Sequence, residues 1–215
     1  MSKMSSKESS NDKSKSTKSN CSARIIPFYI DENKNIYLVM ARVKFYGDWT
    51  ALGGRCTKIS GNCPEENDET LMDCMYTEME EESHLSIMRT DIEIICNPSS
   101  YYIDKTKRHN NIRFGKLNKD RDVTYVKTMY YDEELLKQLA KHQKGADFLE
   151  TVDIEFFPLH GTFLKYVENT LYKRGAENEK IDYSILEPFY TDFKAKTPAQ
   201  LVAKIDAFIN KCISK

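Results

Sequence analysis

The chain has 215 residues, 32 Lys and Arg against 33 Asp and Glu, and a formal net charge of -1. That balance excludes a molecule that gathers nucleic acid by bulk positive charge. A mean hydropathy of -0.61, with no apolar run near the ~20 residues that cross a bilayer, excludes a helical membrane protein. A hydrophobic content of 40% suffices for one ordinary core.

The first residues lack the apolar stretch of a secretory signal, so a cytoplasmic location is expected. The six cysteines (Cys21, Cys56, Cys63, Cys74, Cys96 and Cys212) contain no C-x-x-C pair and are expected to be free thiols. A bridge or zinc pair of Cys56 with Cys63 is the alternative.

Residues 1–22 are Ser, Lys and Asn with almost nothing apolar. Such a segment cannot bury enough surface to offset ordering entropy, so a disordered basic tail is expected. A strand follows at 24–30, a polar turn at Asp31–Asn35, and a second strand at 36–43. Trp49 to Leu52 reads as a short strand running into Gly53-Gly54. Residues 55–68 read as a loop, with Ser60-Gly61 and Cys63-Pro64 as its punctuation.

Asp68 is placed to cap a helix ending near Ser83. This helix carries four acids in five positions, Glu78, Glu80, Glu81 and Glu82. Like charges at that spacing repel. At 3.6 residues per turn, Glu78, Glu81 and Glu82 share one arc of roughly 100°. That arc borders the apolar stripe of Leu71, Met72, Met75 and Met79, while Glu80 is expected to face water. Crowded, half-buried carboxylates take up protons or a cation, and hard oxygen donors suit Mg²⁺ or Mn²⁺. An acidic, solvated helix face is the rival reading.

Asp91 to Cys96 is a predicted strand closed by Asn97-Pro98. Residues 99–122 are polar and hold Lys105, Lys107, Arg108, His109, Arg113, Lys116, Lys119 and Arg121. They read as a mobile basic loop or a hairpin, suited to a polyanion. Val123 to Tyr131 alternates as a strand, and Asp132 caps a helix that closes near Gly145. Thr151 to Leu159 is the last strand. Helices are expected at 161–173 and 198–212, the second with Leu201, Ile205, Phe208, Ile209 and Cys212 on one face.

The order of these elements resembles the Nudix hydrolases. The family's box reads Gly, five residues, Glu, seven residues, then Arg-Glu-aliphatic-X-Glu-Glu-X-Gly-aliphatic. Glu69 stands eight positions before Thr77, and Glu78, Met79, Glu81, Glu82 and Leu85 occupy their places. Thr77 replaces the box arginine and His84 the late glycine, and Gly54 to Glu69 is longer than the usual turn. The resemblance implies an α/β/α sandwich with a mixed sheet over residues 23–160, and a C-terminal helical extension, 161–215, packed on it.

It also implies a metal held by Glu78, Glu81, Glu82 and the Gly54 carbonyl, with Glu150 or Asp153 completing the catalytic set. Glu155 shares the face of Asp153, and His84 and His160 are ordinary surface or cap residues. Leu52-Gly-Gly-Arg55, Asp73-Cys74 and Glu81-Glu-Ser83 are similar to the mRNA-decapping members of poxviruses and other large DNA viruses. The implied partner is then capped mRNA in the host cytoplasm, cleaved to a methylated guanosine diphosphate and 5′-monophosphate RNA.

Cap recognition needs aromatic faces, because methylated guanine is a cationic π surface. Tyr101 and Tyr102 are favoured over Phe28, Tyr29, Phe45, Tyr46 and Trp49, with Lys105, Lys107, Arg108 and Arg113 beside the phosphates. Small diphosphates, such as diphosphoinositols or nucleotides, are the alternative substrates. A Nudix-shaped binding module without turnover is the reading from another class.

Overall fold

The structure, a computed structural model, describes residues 21–43, 49–56, 69–98, 102–103, 109–118, 151–169 and 186–215. The expected tail over 1–20, the loop over 57–68, and the strand and helix over 123–145 lie outside the described residues.

β1 (Cys21–Ile30) and β2 (Ile36–Val43) form the opening hairpin. β1 therefore starts three residues before the expected strand. Asp31 ties the turn: its carboxylate accepts from the backbone N–H of Asn35 at 2.8 Å and from the Asn35 side-chain amide at 2.9 Å. Lys34 takes the left-handed conformation there, with φ 65°.

β1 and β2 then diverge. β3 (Trp49–Thr50) pairs with β2, and β4 (Leu52–Arg55) pairs with the first half of β1. The opposite edge of β1 is covered along its length by β7 (His109–Leu117), which runs parallel to it. β5 (Ile92–Cys96) and the two-residue β6 (Tyr102–Ile103) add to β7. β8 (Thr151–Pro158) closes the outer edge of β2. All eight strands belong to one mixed sheet.

Of the two readings of 99–122, the topology favours the hairpin, since β6 pairs antiparallel with the start of β7, and it corrects the mobile loop. Asn111, Ile112, Arg113, Phe114, Gly115 and Leu117 belong to an inner strand, not to a solvated segment. The basic residues mask it in a hydropathy reading, because Lys116 escapes to the sheet's end and pairs with Glu93 at 3.0 Å.

Both faces of the sheet are covered, which makes the α/β/α sandwich. Ala23, Ile25, Val39, Ala41, Leu52, Ile154 and Phe156 point to one side, against Leu71, Met75 and Met79 of α1 (Glu69–Glu82). Ile26, Phe28, Leu38, Met40, Ile112, Phe114 and Phe157 point to the other, following the two-residue alternation of a strand.

That second side is filled by Phe163 and Val167, by α2 (Leu186–Asp192), and by α3 (Pro198–Ile213). Thr197 caps α3 by accepting from the Gln200 N–H at 3.2 Å. Leu201, Val202, Ile205 and Ile209 are buried, each such side chain contributing about 1.5–3 kcal/mol. The Phe114 and Phe189 rings stack at 5.5 Å, with Phe193 and Phe208 edged against them.

Among the described residues the cysteines are not free thiols. Cys56 is bonded to Cys74, with Cα atoms 5.5 Å apart, and Cys96 to Cys212, with Cα atoms 5.9 Å apart. Cys21 is disulfide-bonded as well. Cys56 thus joins α1 instead of Cys63, a pairing that needs the fold to bring β4 under the helix. The second bond fastens the last helix to β5.

Candidate active site

The site is built where α1 crosses β4. Met75 and Met79 face the sheet, so the helical period carries Glu78 and Glu82 to the flank above β4. Glu82 accepts a hydrogen bond from the Gly53 backbone N–H at 2.5 Å. A methyl group placed on Gly54 would meet the Glu78 carboxylate. The two glycines thus hold two carboxylates of the box, and Glu81 stands half-buried beside Glu82.

The glycine pair is required for different reasons at its two positions. Gly53 has φ +134°, and a Cβ there would run into the Ala23 carbonyl oxygen and the Arg24 Cα. Only glycine lets β4 lie that close to β1. Gly54 needs no unusual backbone angle; its bare Cα leaves room for the Glu78 carboxylate.

The helix then stops abruptly. His84 and Leu85 have φ 51° and 60°. The Leu85 N–H donates to the Glu80 carbonyl at 2.8 Å, and the His84 N–H to the Glu81 carbonyl at 3.0 Å. This is a Schellman ending, whose left-handed position is ordinarily glycine. The late glycine of the box marks that turn, and here a histidine adopts the same angle. His84 is 5% exposed, so it is a buried cap and not a surface residue.

Glu80 is corrected too. Its side chain is 14% exposed and bonded to Arg89, not turned to water. Ser83 closes the following loop, its hydroxyl accepting from the Ile87 N–H at 3.2 Å.

Asp153 does not reach this site. Arg42 and Asp153 face each other in the β2–β8 register and are paired at 3.1 Å. They lie on the α3 side with Met40 and Phe157, whereas Ile154 and Phe156 point toward α1. The sheet separates Asp153, and Glu155 with it, from Glu78 and Glu82. Alternation in the sequence puts Asp153 and Glu155 on one face of β8 but leaves open which side of the sheet that is, because both sides are covered by apolar layers. His160 pairs with Asp206 at 2.6 Å, also away from the box.

Arg113 is buried on the α1 side of β7, its Nε donating to the Asn111 side chain at 2.7 Å. It acts on the Tyr76 phenol, whose pKa burial raises and whose neighbours Arg89 and Arg113 pull back. Tyr76 lies on the flank of α1 opposite Glu78 and Glu82. Arg113 is thus held on an inner strand, on the side of the sheet that α1 covers. Tyr101, Lys105, Lys107, Arg108 and Glu150 lie outside the described residues, and Tyr102 is placed by its backbone alone, opposite Asn110.

Among the described residues no three acidic, histidine or cysteine side chains are already gathered around one point. The donors nevertheless fit a hard divalent ion in kind: carboxylates only, half-buried, against a glycine turn that admits no side chain of its own. The Gly53 N–H as partner of Glu82, and Arg89 as partner of Glu80, were not legible in the sequence. The sequence signals for them are the doubled glycine and a basic residue just past the helix end.

No protein-family model matches the chain, and no curated protein matches it. Among solved structures, the chain is similar to a Caenorhabditis elegans Ap4A hydrolase in a binary complex, at 15% identity and TM-score 0.43 over 89% of this chain and 98% of that one. It is also similar to the NUDIX domain of Shewanella oneidensis NrtR complexed with ADP ribose, at 13% identity and TM-score 0.38 over 74% and 86% of the two chains. A MutT/nudix family protein from Enterococcus faecalis follows at 13% identity and TM-score 0.36, over 73% and 47%. At such identity and overlap these likenesses carry nothing about substrate or reaction.

Proposed function

We propose that this protein is a divalent-metal-dependent pyrophosphohydrolase of the Nudix type, and that it cleaves the 5′ cap of mRNA. The observation that carries the reading is the meeting of the acidic helix with the glycine turn: Glu82 on the Gly53 N–H, Glu78 against Gly54.

Glu78, Glu81 and Glu82, with the Gly54 carbonyl, would hold Mg²⁺ or Mn²⁺. A divalent ion bound there neutralises phosphate charge and lowers the pKa of a water. The chain's own part is to fix the carboxylates before substrate arrives. The Gly53 N–H sets the Glu82 head group, and the Cys56–Cys74 bond holds α1 to the end of β4 one turn away from Glu78. A carboxylate that does not itself hold the ion would take the proton from the attacking water. Asp153 has no part in this, being on the far face.

The cap as substrate rests on the sequence likeness of Leu52 to Arg55, Asp73-Cys74 and Glu81 to Ser83 to the viral decapping enzymes. Tyr101 and Tyr102 remain the proposed aromatic pair, and Lys105, Lys107 and Arg108 the proposed phosphate contacts.

The test is cleavage of RNA carrying a labelled methylated cap, with Mg²⁺ or Mn²⁺, beside a diphosphoinositol and free dinucleotides. Release of methylated guanosine diphosphate, lost in Glu82→Gln, is expected. Salt sensitivity should grow with RNA length, because each added phosphate contact releases counterions. Preference for a small diphosphate would reassign the substrate. Absence of turnover on every substrate, with intact RNA binding, would leave a binding module.

A further inference from the structure

We propose that Arg89 is the positioning residue of this site, supplying from beyond the helix the cationic anchor that Thr77 does not provide. The inference rests on the metal-site reading above and assigns a new residue to it.

Arg89 grips one stripe of α1 from the side opposite the glycine turn. Its Nε donates to Glu80 Oε1 at 3.2 Å, its Nη2 to Glu80 Oε2 at 3.5 Å, and its backbone N–H to Glu80 Oε1 at 2.8 Å. Its Nη1 reaches Asp73 at 3.2 Å. Its guanidinium lies 5.4 Å from the centre of the Tyr76 ring. Asp73, Tyr76 and Glu80 follow one another along two turns, so a single planar cation spans half the helix.

The exposed contact with Asp73 (63% exposed) adds little. The strength lies at Glu80, which is 14% exposed and accepts from three donors of one residue. The same grip folds the returning loop onto the helix and neutralises the one acid of the four that faces away from the glycines.

α1 is therefore held on both flanks, by Gly53-Gly54 on one and by Arg89 on the other. Releasing the second lets the helix roll about its long axis. A roll of about 20° moves a carboxylate at the ~5–6 Å side-chain radius by about 2 Å. Misplacement of about 1 Å is enough to cost about 100-fold in rate. Thr77, exposed and short, offers no charged bond to oppose that roll.

The test compares wild type, Arg89→Ala, Arg89→Lys, Glu80→Gln and Glu82→Gln as full chains. Two readouts are taken: Mn²⁺ binding, by electron paramagnetic resonance of the free ion, and kcat with KM on capped RNA. Arg89→Ala is expected to weaken Mn²⁺ binding and lower kcat by about 10- to 100-fold, with KM nearly unchanged. Arg89→Lys restores part of both, since an ammonium returns the charge but not the fork. Glu80→Gln, which keeps shape and fold, moves both in the direction of Arg89→Ala by less. If Glu82→Gln loses Mn²⁺ while Arg89→Ala and Glu80→Gln bind and turn over as wild type, Arg89 has no positioning role and the metal site stands. If wild type and Glu82→Gln do not differ in Mn²⁺ binding, the metal site falls and Arg89 has nothing to position.

Discussion

Replacing Gly53 and Gly54 by alanine, one at a time, should separate folding from function at adjacent positions. At Gly53 the new methyl meets main-chain atoms, the Ala23 carbonyl oxygen and the Arg24 Cα, and φ is +134°. Backbone strain of that kind costs about 1–3 kcal/mol. The clash with the β1 backbone adds overpacking of about 1–3 kcal/mol, since no side chain can rotate away. Gly53→Ala should therefore lose about 2–6 kcal/mol, a large share of the stability of an ordinary domain. At Gly54 the obstacle is the Glu78 carboxylate, the far end of a flexible side chain. It can swing aside, so Gly54→Ala should lose less than about 1 kcal/mol. The swing removes Glu78 from the site, however, and Mn²⁺ binding should fall by about 10-fold or more. Urea unfolding measures the first quantity and metal titration the second. Equal destabilisation by the two substitutions, or full Mn²⁺ affinity in Gly54→Ala, would refute the division of labour between the glycines.

Lys34→Gly relieves a left-handed lysine at an exposed turn, and should stabilise by about 1 kcal/mol, raising Tm by about 2–4 °C; a lower Tm would contradict it. Replacing Cys96 and Cys212 by alanine opens a loop of 116 residues, against 18 for Cys56 and Cys74. Chain entropy puts the losses near about 4.7 and 3 kcal/mol, so denaturant midpoints should fall further for the first pair. The Asn35 amide holds the Asp31 carboxyl below its ordinary value of 3.8. A depressed carboxyl contributes stability above that pH and loses it as pH falls through the folded value. The Tm gap between wild type and Asp31→Asn should therefore close on acidification from pH 6 to below pH ~3; a constant gap would contradict the assignment.

Local signals carried far into this fold. The hairpin at Asp31–Asn35, the acidic helix and the final helix from Pro198 all follow from turn chemistry and from the 3.6-residue period, and Met75 and Met79 lie where the period puts them. β7 was hidden because a strand buried on both faces shows no alternation, and because Arg113 and Lys116 make it look solvated. Asp153 was misplaced for the related reason that apolar neighbours on both sides of β8 leave its face undetermined. The Cys56–Cys74 bond and the reach of Arg89 to Asp73 depend on how the chain returns in three dimensions, which spacing does not encode. The histidine at the end of α1 is the instructive case: a departure from a motif letter that preserves the backbone angle the letter exists to allow.

The outer edge of β2 waits for β8, a partner more than a hundred residues downstream; Arg42 meets Asp153 only after that length has been made. During synthesis the hairpin emerges from the ribosome with one row of amide groups unsatisfied and Val39 and Met40 open to water. Such an unfinished border is a template for pairing with another nascent chain. Recovery of correctly assembled protein should thus depend on expression rate and on holdase chaperones more than the finished molecule's stability would suggest.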